Sequence, residues 1–189
     1  MSARGGVKSL VSFGSGPSVF EYMLKEIFQE DLNIVVTDYD SYIMERVGKL
    51  FPDIEAEVFD FYHDDVRKLV RKHKIDCALL IGSACSMDDK TYIRFLKDLK
   101  KSGVNYVITF EAAITNNYVF LKKRIRSTMI TIYYYLRKVD GWRDKGSFHA
   151  YERSKYQLEH IFAASGYKMT MLTPLQDYKY IYLLTLPEK

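Results

Sequence analysis

An apolar run from Val7 to Phe13 ends in Gly14-Ser15-Gly16, and the next apolar run, Ile34-Val35-Val36, ends in Thr37-Asp38-Tyr39-Asp40. Between them Ser18 and Glu21 have the spacing of a capping box. Phe20, Met23, Leu24, Ile27 and Phe28 then give the segment one apolar face at helical spacing. Strand, glycine turn, helix and strand in this order open an α/β domain. The glycines let backbone approach a ligand closely, and an acid ending the second strand suits a ribose diol. The competing reading of Asp38 is the cap of the helix beginning near Ser41, and the ribose reading is preferred.

The alternation continues. Asp40 or Ser41 caps a helix with Ile43, Val47 and Leu50 on one side, stopped near Pro52. Glu57 to Phe61 is a short strand. A helix over about Asp64 to His73 turns Val66, Leu69 and Val70 inward. Cys77 to Ile81 is unbroken apolar sequence, as in a parallel strand buried on both faces. Ser86 or Asp88 caps a helix carrying Tyr92, Phe95, Leu96 and Leu99, closed by Gly103. Val104 to Phe110 is the fifth strand. Apolar residues from Tyr118 to Val139 then recur every three or four positions, predicting one long helix stopped at Gly141. A further helix spans about Tyr151 to Ala164, stopped at Gly166. Lys168 to Leu172 and Tyr180 to Leu186 form an antiparallel pair around Pro174 and Asp177.

The chain of 189 residues is 48% hydrophobic, enough for one domain with a substantial core. No apolar window approaches transmembrane length, and Met1 to Gly6 lacks a signal-peptide core, so the expected compartment is the cytoplasm. Cys77 and Cys85 read as buried small hydrophobes, and no Cys/His spacing suggests a metal site. Residues 112–150 hold eight bases and two acids, net +6 against +4 for the whole chain, which leaves −2 elsewhere. This segment reads as a solvated helix face, or as a surface for an acidic partner such as phosphate, an acidic glycan, anionic lipid or nucleic acid. No nucleic-acid-binding motif accompanies it.

Five alternating strands and helices followed by a helix and a terminal hairpin resemble class I S-adenosylmethionine-dependent methyltransferases. The resemblance covers nearly the whole chain, as a single domain over residues 1–189. It implies an α/β, Rossmann-like three-layer sandwich, whose seven-stranded, mostly parallel sheet has a C-terminal antiparallel hairpin and strand order 3-2-1-4-5-7-6. S-adenosylmethionine is the implied cofactor, bordered by Phe13, Gly14, Ser15 and Gly16. Asp38 would hold the ribose and Tyr39 would lie against the adenine. Asp60 would accept from the adenine amine, Phe61 would cover the ring, and Gly82 and Ser83 would flank the reaction centre. The family usually has an acid where Ser12 stands and a third glycine near Ser18; both are absent here. The Asn/Asp-Pro-Pro-Tyr sequence of amino methylation and the Pro-Cys of cytosine methylation are absent as well.

Methyl transfer is a displacement driven mainly by alignment, and it needs a base only where the acceptor must lose a proton. The candidate bases are Glu111, expected at the carboxyl end of the fifth strand, and His149, before the last long helix. Each has a structural reading beside the catalytic one. Only about six residues precede the first strand, so a lid would come from residues 112–150, from a partner chain, or not exist. Tyr133, Tyr134, Tyr135 and Trp142 could shape an acceptor pocket or pack on the sheet. The preferred reading is a methyltransferase acting on a hydroxyl of a small-molecule or glycan-type acceptor, acidic or phosphorylated. The alternatives are a nicotinamide-dinucleotide-binding domain and a non-catalytic subunit, with self-association or a partner subunit compatible with the chain.

Overall fold

The computed structural model describes residues 6–114, 121, 122, 125, 129, 151, 153–176 and 179–187. The elements are β1 (Ser9–Phe13), α1 (Val19–Phe28), β2 (Asn33–Asp38), α2 (Ser41–Leu50), β3 (Glu55–Val58), α3 (Val66–His73), β4 (Cys77–Ile81), α4 (Asp89–Lys101), β5 (Tyr106–Ile114), β6 (Arg153–Ser154), α5 (Lys155–Ser165), β7 (Lys168–Gln176) and β8 (Lys179–Thr185). The sheet runs β3-β2-β1-β4-β5-β8-β7, with the two-residue β6 added beside β5. β1 to β5 are parallel, and β8 is antiparallel to both β5 and β7. This is the expected order, with the hairpin closing the sheet.

Period-two alternation sorts the strand residues into two cores. Val11, Phe13, Val35, Ala78, Leu80 and Val107 face α3, α4 and α5. Leu10, Ile34, Val36, Cys77 and Leu79 face the other way, toward α2 and the inner side of α1. In α4, Tyr92, Phe95, Leu96 and Leu99 are all buried, each burial contributing about 1.5–3 kcal/mol of transfer free energy. Asp40, Asp65 and Asp88 cap α2, α3 and α4 by accepting from backbone N–H groups. Ser154 and Gln157 form a reciprocal capping box on α5, and Gly166 ends that helix with φ +79°.

Several boundaries differ from expectation. β3 ends at Val58 because its ladder to β2 stops at Asp38; Phe59 and Phe61 leave the sheet and join a ring cluster with Phe13 and Phe95. β5 continues to Ile114 because β8 pairs with it through Ala112 and β6 through Ile114. Ser18 does not cap α1: it is left-handed (φ +56°) and its hydroxyl lies against Ser15 Oγ. Glu21 turns inward and accepts from the buried Ser12 hydroxyl at 2.5 Å. That contact and the Lys25 ammonium on the Leu32 carbonyl, at 3.1 Å, set the rotation of α1. Tyr22 and Leu24 pack on the core, whereas Phe20, Met23, Ile27 and Phe28 are exposed.

Of the long helix expected after β5, Leu121, Lys122, Ile125 and Met129 are helical and exposed. The remainder, with Tyr133, Tyr134, Tyr135, Trp142 and His149, lies outside the described residues. Among the described residues no helix is long and apolar enough to cross a membrane.

Candidate cofactor site

Parallel pairing brings the carboxyl ends of β2, β1 and β4 to one edge, where the strand order reverses between β1 and β4. Ligands of open α/β sheets bind in the crevice at such a reversal. The turn after β1 fills its floor. Gly14, Gly16 and Ser18 alternate in the left-handed region at φ +64°, +54° and +56°. A Cβ on Gly14 would lie 2.6 Å from Ser83 Cβ, so no side chain fits there. Beside Gly16 there is open space, and only its backbone conformation calls for glycine.

The turn is clasped to the end of β2. Ser15 N–H donates to the Thr37 carbonyl at 3.0 Å, and Gly16 N–H donates to Asp38 Oδ2 at 3.0 Å. Asp40 N–H donates to the other Asp38 oxygen at 3.1 Å. Asp40, accepting from Tyr42 and Ile43 N–H, is the cap of α2. That separates the two readings of Asp38, which belongs to the turn and not to the helix. Tyr39 is exposed beside it.

Asp60 sits in the loop after β3. It accepts from Tyr62 N–H at 2.7 Å and meets His63 Nδ1 at 3.0 Å, while Asp60 N–H donates to Asp64. Burial raises its carboxyl, but the contacts with His63 and the Tyr62 N–H outweigh it and hold the group below its ordinary range. Phe61 is half-buried in the ring cluster, 5.2 Å from Phe95 between centroids. The Phe13 ring is fully buried on the α3/α4 side, and its backbone leads into the turn.

Beyond β4, Gly82 is left-handed and Ser83 is buried. The Ser83 hydroxyl is a buried side-chain atom with no hydrogen-bond partner. Cys77 is buried, its thiol pushed up to about 12 by burial. Cys85 is only half-buried, contrary to expectation, because it stands on the turn after β4 with Sγ 2.8 Å from the Gly82 carbonyl.

Glu111 is another correction in place. It lies within β5 and not at its end, fully enclosed beneath α4. Its carboxyl accepts from Thr109 Oγ1 at 2.7 Å and from the Tyr92 hydroxyl at 3.0 Å. Burial raises its affinity for a proton, opposed by those two donors and by the Arg153 charge.

Arg153 is a residue beside the candidate site that sequence reasoning missed. Fully buried, it donates to Asp89 Oδ1 at 2.8 Å, to the Ala84 carbonyl at 3.1 Å and to the Met87 carbonyl. Its guanidinium lies 5.2 Å from the Tyr92 ring centroid and 5.8 Å from that of Tyr151. It thereby pins the β4–α4 turn, which carries Ser83 and Cys85, to the start of α5. The available signal was a lone arginine one residue before the Ser-x-x-Gln helix start.

Away from the crevice, at the β3 edge, Glu55, Glu57 and His73 bring their donor atoms within 4.8 Å of one another. Lys72 already serves them as a cation, bonded to Glu57 and 3.8 Å from Glu55.

No protein-family model matches the sequence, and no curated protein matches it. Solved structures do match in shape. Human N-acetylserotonin methyltransferase, in complex with S-adenosylmethionine, aligns with a TM-score of 0.64 at 12% identity, over 96% of this chain and 48% of that one. The O-methyltransferase NcsB1 from neocarzinostatin biosynthesis, with S-adenosylhomocysteine and 1,4-dihydroxy-2-naphthoic acid, aligns with a TM-score of 0.64 at 18% identity, over 96% and 50%. A structure described as a pericyclic reaction enzyme aligns with a TM-score of 0.63 at 12% identity, over 98% and 45%.

The fold is that of the class I S-adenosylmethionine-dependent methyltransferases. The chain spans about half the length of these three structures. On the methyltransferase fold the crevice just described lies at the sheet's switch point, with Gly14, Gly16, Asp38 and Ser83 brought together around one turn.

Proposed function

We propose that the chain binds S-adenosylmethionine in the crevice between β1 and β4 and transfers its methyl group to an acceptor hydroxyl. The observation that carries this reading is the unpartnered, buried Ser83 hydroxyl beside Gly14, in a turn that leaves space open at Gly16. A buried hydroxyl without a partner costs about 1–3 kcal/mol, which a ligand's polar group in the crevice would relieve. The donor set fits the cofactor. Asp38 uses one acceptor site on each oxygen for a backbone N–H and keeps others for ribose hydroxyls. Tyr39 follows β2, and Asp60 and Phe61 lie in the loop after β3, the side from which an adenine would be met. The cofactor supplies a methyl group on a positively charged sulfur.

The usual acid at the end of β1 is replaced by Ser12, and Glu21 supplies a carboxyl to that hydroxyl from α1. Glu21 is nearly enclosed, and burial raises its proton affinity against the Ser12 hydrogen bond. It stabilises the turn from behind.

Of the two proposed bases, Glu111 is sealed by Tyr92 and Thr109 and supports the floor of the β4–β5 ends. His149 is the group we assign to the acceptor proton. The net charge of +6 over residues 112–150 supports an acidic or phosphorylated small-molecule or glycan acceptor. Replacing Lys122, Lys123, Arg124 and Arg126 together by Ala is expected to raise the KM for such an acceptor. Indifference of activity to that change would remove the assignment.

The deciding experiment is calorimetric titration with S-adenosylmethionine, S-adenosylhomocysteine and NAD in parallel. Saturable binding of the two sulfur ligands alone is expected. Binding of NAD alone would replace this reading with a dinucleotide-binding one. Binding of none would favour a non-catalytic subunit, a reading that the altered first turn supports.

A further inference from the structure

The turn between β4 and α4 is held carbonyl by carbonyl. The Ser83 carbonyl accepts from Ser86 N–H at 3.0 Å and from the Ser86 hydroxyl at 2.7 Å. The Ala84 carbonyl accepts from Arg153 Nη1 at 3.1 Å and from Met87 N–H at 3.2 Å. The Cys85 carbonyl accepts from Tyr151 N–H at 2.7 Å, and the Met87 carbonyl accepts from Arg153 Nη2. The Tyr62 hydroxyl donates to the Ser86 carbonyl at 3.1 Å and accepts from Asp88 N–H at 3.1 Å. Asp88 in turn caps α4 by accepting from Thr91 N–H at 2.7 Å. Every carbonyl from Ser83 to Met87 therefore has a donor.

Two of these donors are side chains from elsewhere in the fold. Tyr62 reaches in from the loop after β3, just past Asp60 and Phe61, and Arg153 reaches in from β6. A connecting loop ordinarily leaves such carbonyls to water and is the more mobile for it. Here they are taken by protein groups, while the Ser83 hydroxyl in the same turn is buried and has no partner. It stands where a Cβ on Gly14 would collide, against the floor of the crevice. A polar group fixed by its surroundings before a ligand arrives binds more tightly, because little ordering remains to be done. The frame around Ser83 is of that kind.

We propose that Tyr62 and Arg153 are positioning residues for the cofactor, holding the Ser83–Met87 turn so that the Ser83 hydroxyl meets a polar group of S-adenosylmethionine. The inference rests on the cofactor reading above. Arg153 is 2% exposed, so it acts through the turn and not on a ligand. Its planar fork reaches Asp89 and two carbonyls at once, which a single ammonium cannot do. Tyr62 is 43% exposed, and its hydroxyl bridges Ser86 to Asp88. That bridge ties the loop carrying Asp60 and Phe61 to the turn carrying Ser83. The adenine side and the Ser83 side of the candidate site thereby share one hydrogen-bonded frame.

The test is calorimetric titration of the full chain with S-adenosylhomocysteine, with urea unfolding of each variant alongside. Tyr62→Phe removes one hydroxyl and is expected to weaken binding by about three- to tenfold, the scale of one neutral hydrogen bond. Arg153→Lys keeps the charge but loses the fork, and is expected to weaken binding by about tenfold or more. The deciding readout is the double-mutant cycle with Ser83→Ala. Once Ser83 is replaced, each change should cost less than about twofold in affinity, while its effect on unfolding persists. A frame that is merely structural would cost as much affinity with Ser83→Ala as without it, and that result would overturn the proposal. Wild-type affinity in Tyr62→Phe would overturn it as well. Should Arg153→Lys fail to fold, the Tyr62→Phe cycle decides alone. Absence of wild-type binding removes the cofactor reading and this inference with it, whereas wild-type binding with an additive cycle removes this inference only.

Discussion

Asp38 and Glu111 are both acids on strands of one sheet, and they do opposite things. Asp38 stands at the end of β2, where it accepts from the N–H groups of Gly16 and Asp40. Glu111 lies inside β5, closed off by Tyr92 and Thr109, with Arg153 near enough to act on it. A carboxylate that accepts one backbone N–H on each oxygen keeps further acceptor sites for a ligand. One held by hydroxyls in an enclosed space gains affinity for a proton and holds its neighbours in place. The region around Asp38 borders the crevice, and the region around Glu111 is enclosed in the core.

The strongest way to break this contrast is at Arg153. Arg153→Met strips Asp89 and the Ala84 and Met87 carbonyls of their donor, and it is expected to destabilise the fold by about 3–5 kcal/mol in urea unfolding. A loss below about 1 kcal/mol would show that the turn is held by other contacts.

Next comes the turn itself. Gly14→Ala adds a Cβ on Ser83 and forces φ +64° on an L-residue, for an expected loss of about 2–4 kcal/mol. Gly16→Ala carries only the conformational part, about 1–2 kcal/mol. Equal losses at the two positions would remove the packing role of Gly14.

Asp38→Ala should leave the core intact and weaken S-adenosylmethionine binding by about 1.5–3 kcal/mol, the scale of a charged hydrogen bond. Unchanged calorimetric affinity would take Asp38 out of the cofactor site.

The smallest effect is at Glu111. Burial raises its proton affinity above that of the unfolded chain, so folding favours the protonated acid. Its contribution to stability is complete below the ordinary carboxylate range and is lost as pH rises through the raised value. Glu111→Gln keeps the shape, should change stability at neutral pH by about 1 kcal/mol, and should flatten the difference between mildly acidic and neutral unfolding curves. Parallel pH curves for the two proteins would contradict that placement.

Much of the fold was legible because it is written in short-range patterns. Cys77 to Ile81 is a strand with the predicted bounds, and Val66, Leu69 and Val70 are buried as their spacing implied. The strand order follows once the βα alternation and the closing hairpin are recognised. The geometry of the candidate site was legible where it depends on a turn and a strand end: Gly14 and Gly16 form the turn, and Asp38 ends β2 beside it. It was illegible where one residue's meaning depends on another far along the chain. Arg153 reaches back 64 residues to Asp89 and 69 to the Ala84 carbonyl. Nothing local to any of the three announces that contact.

Helix α1 draws the boundary most clearly. Local sequence determined that residues 19–28 are helical and amphipathic, because side-chain period and backbone propensity act within a few residues. Tertiary structure decided which way that helix faces. The left-handed Ser18, the Ser12–Glu21 hydrogen bond and the Lys25 contact with Leu32 fix its rotation on the sheet. A helical period is the same whichever face is buried; only the partners that one face finds in space choose between them.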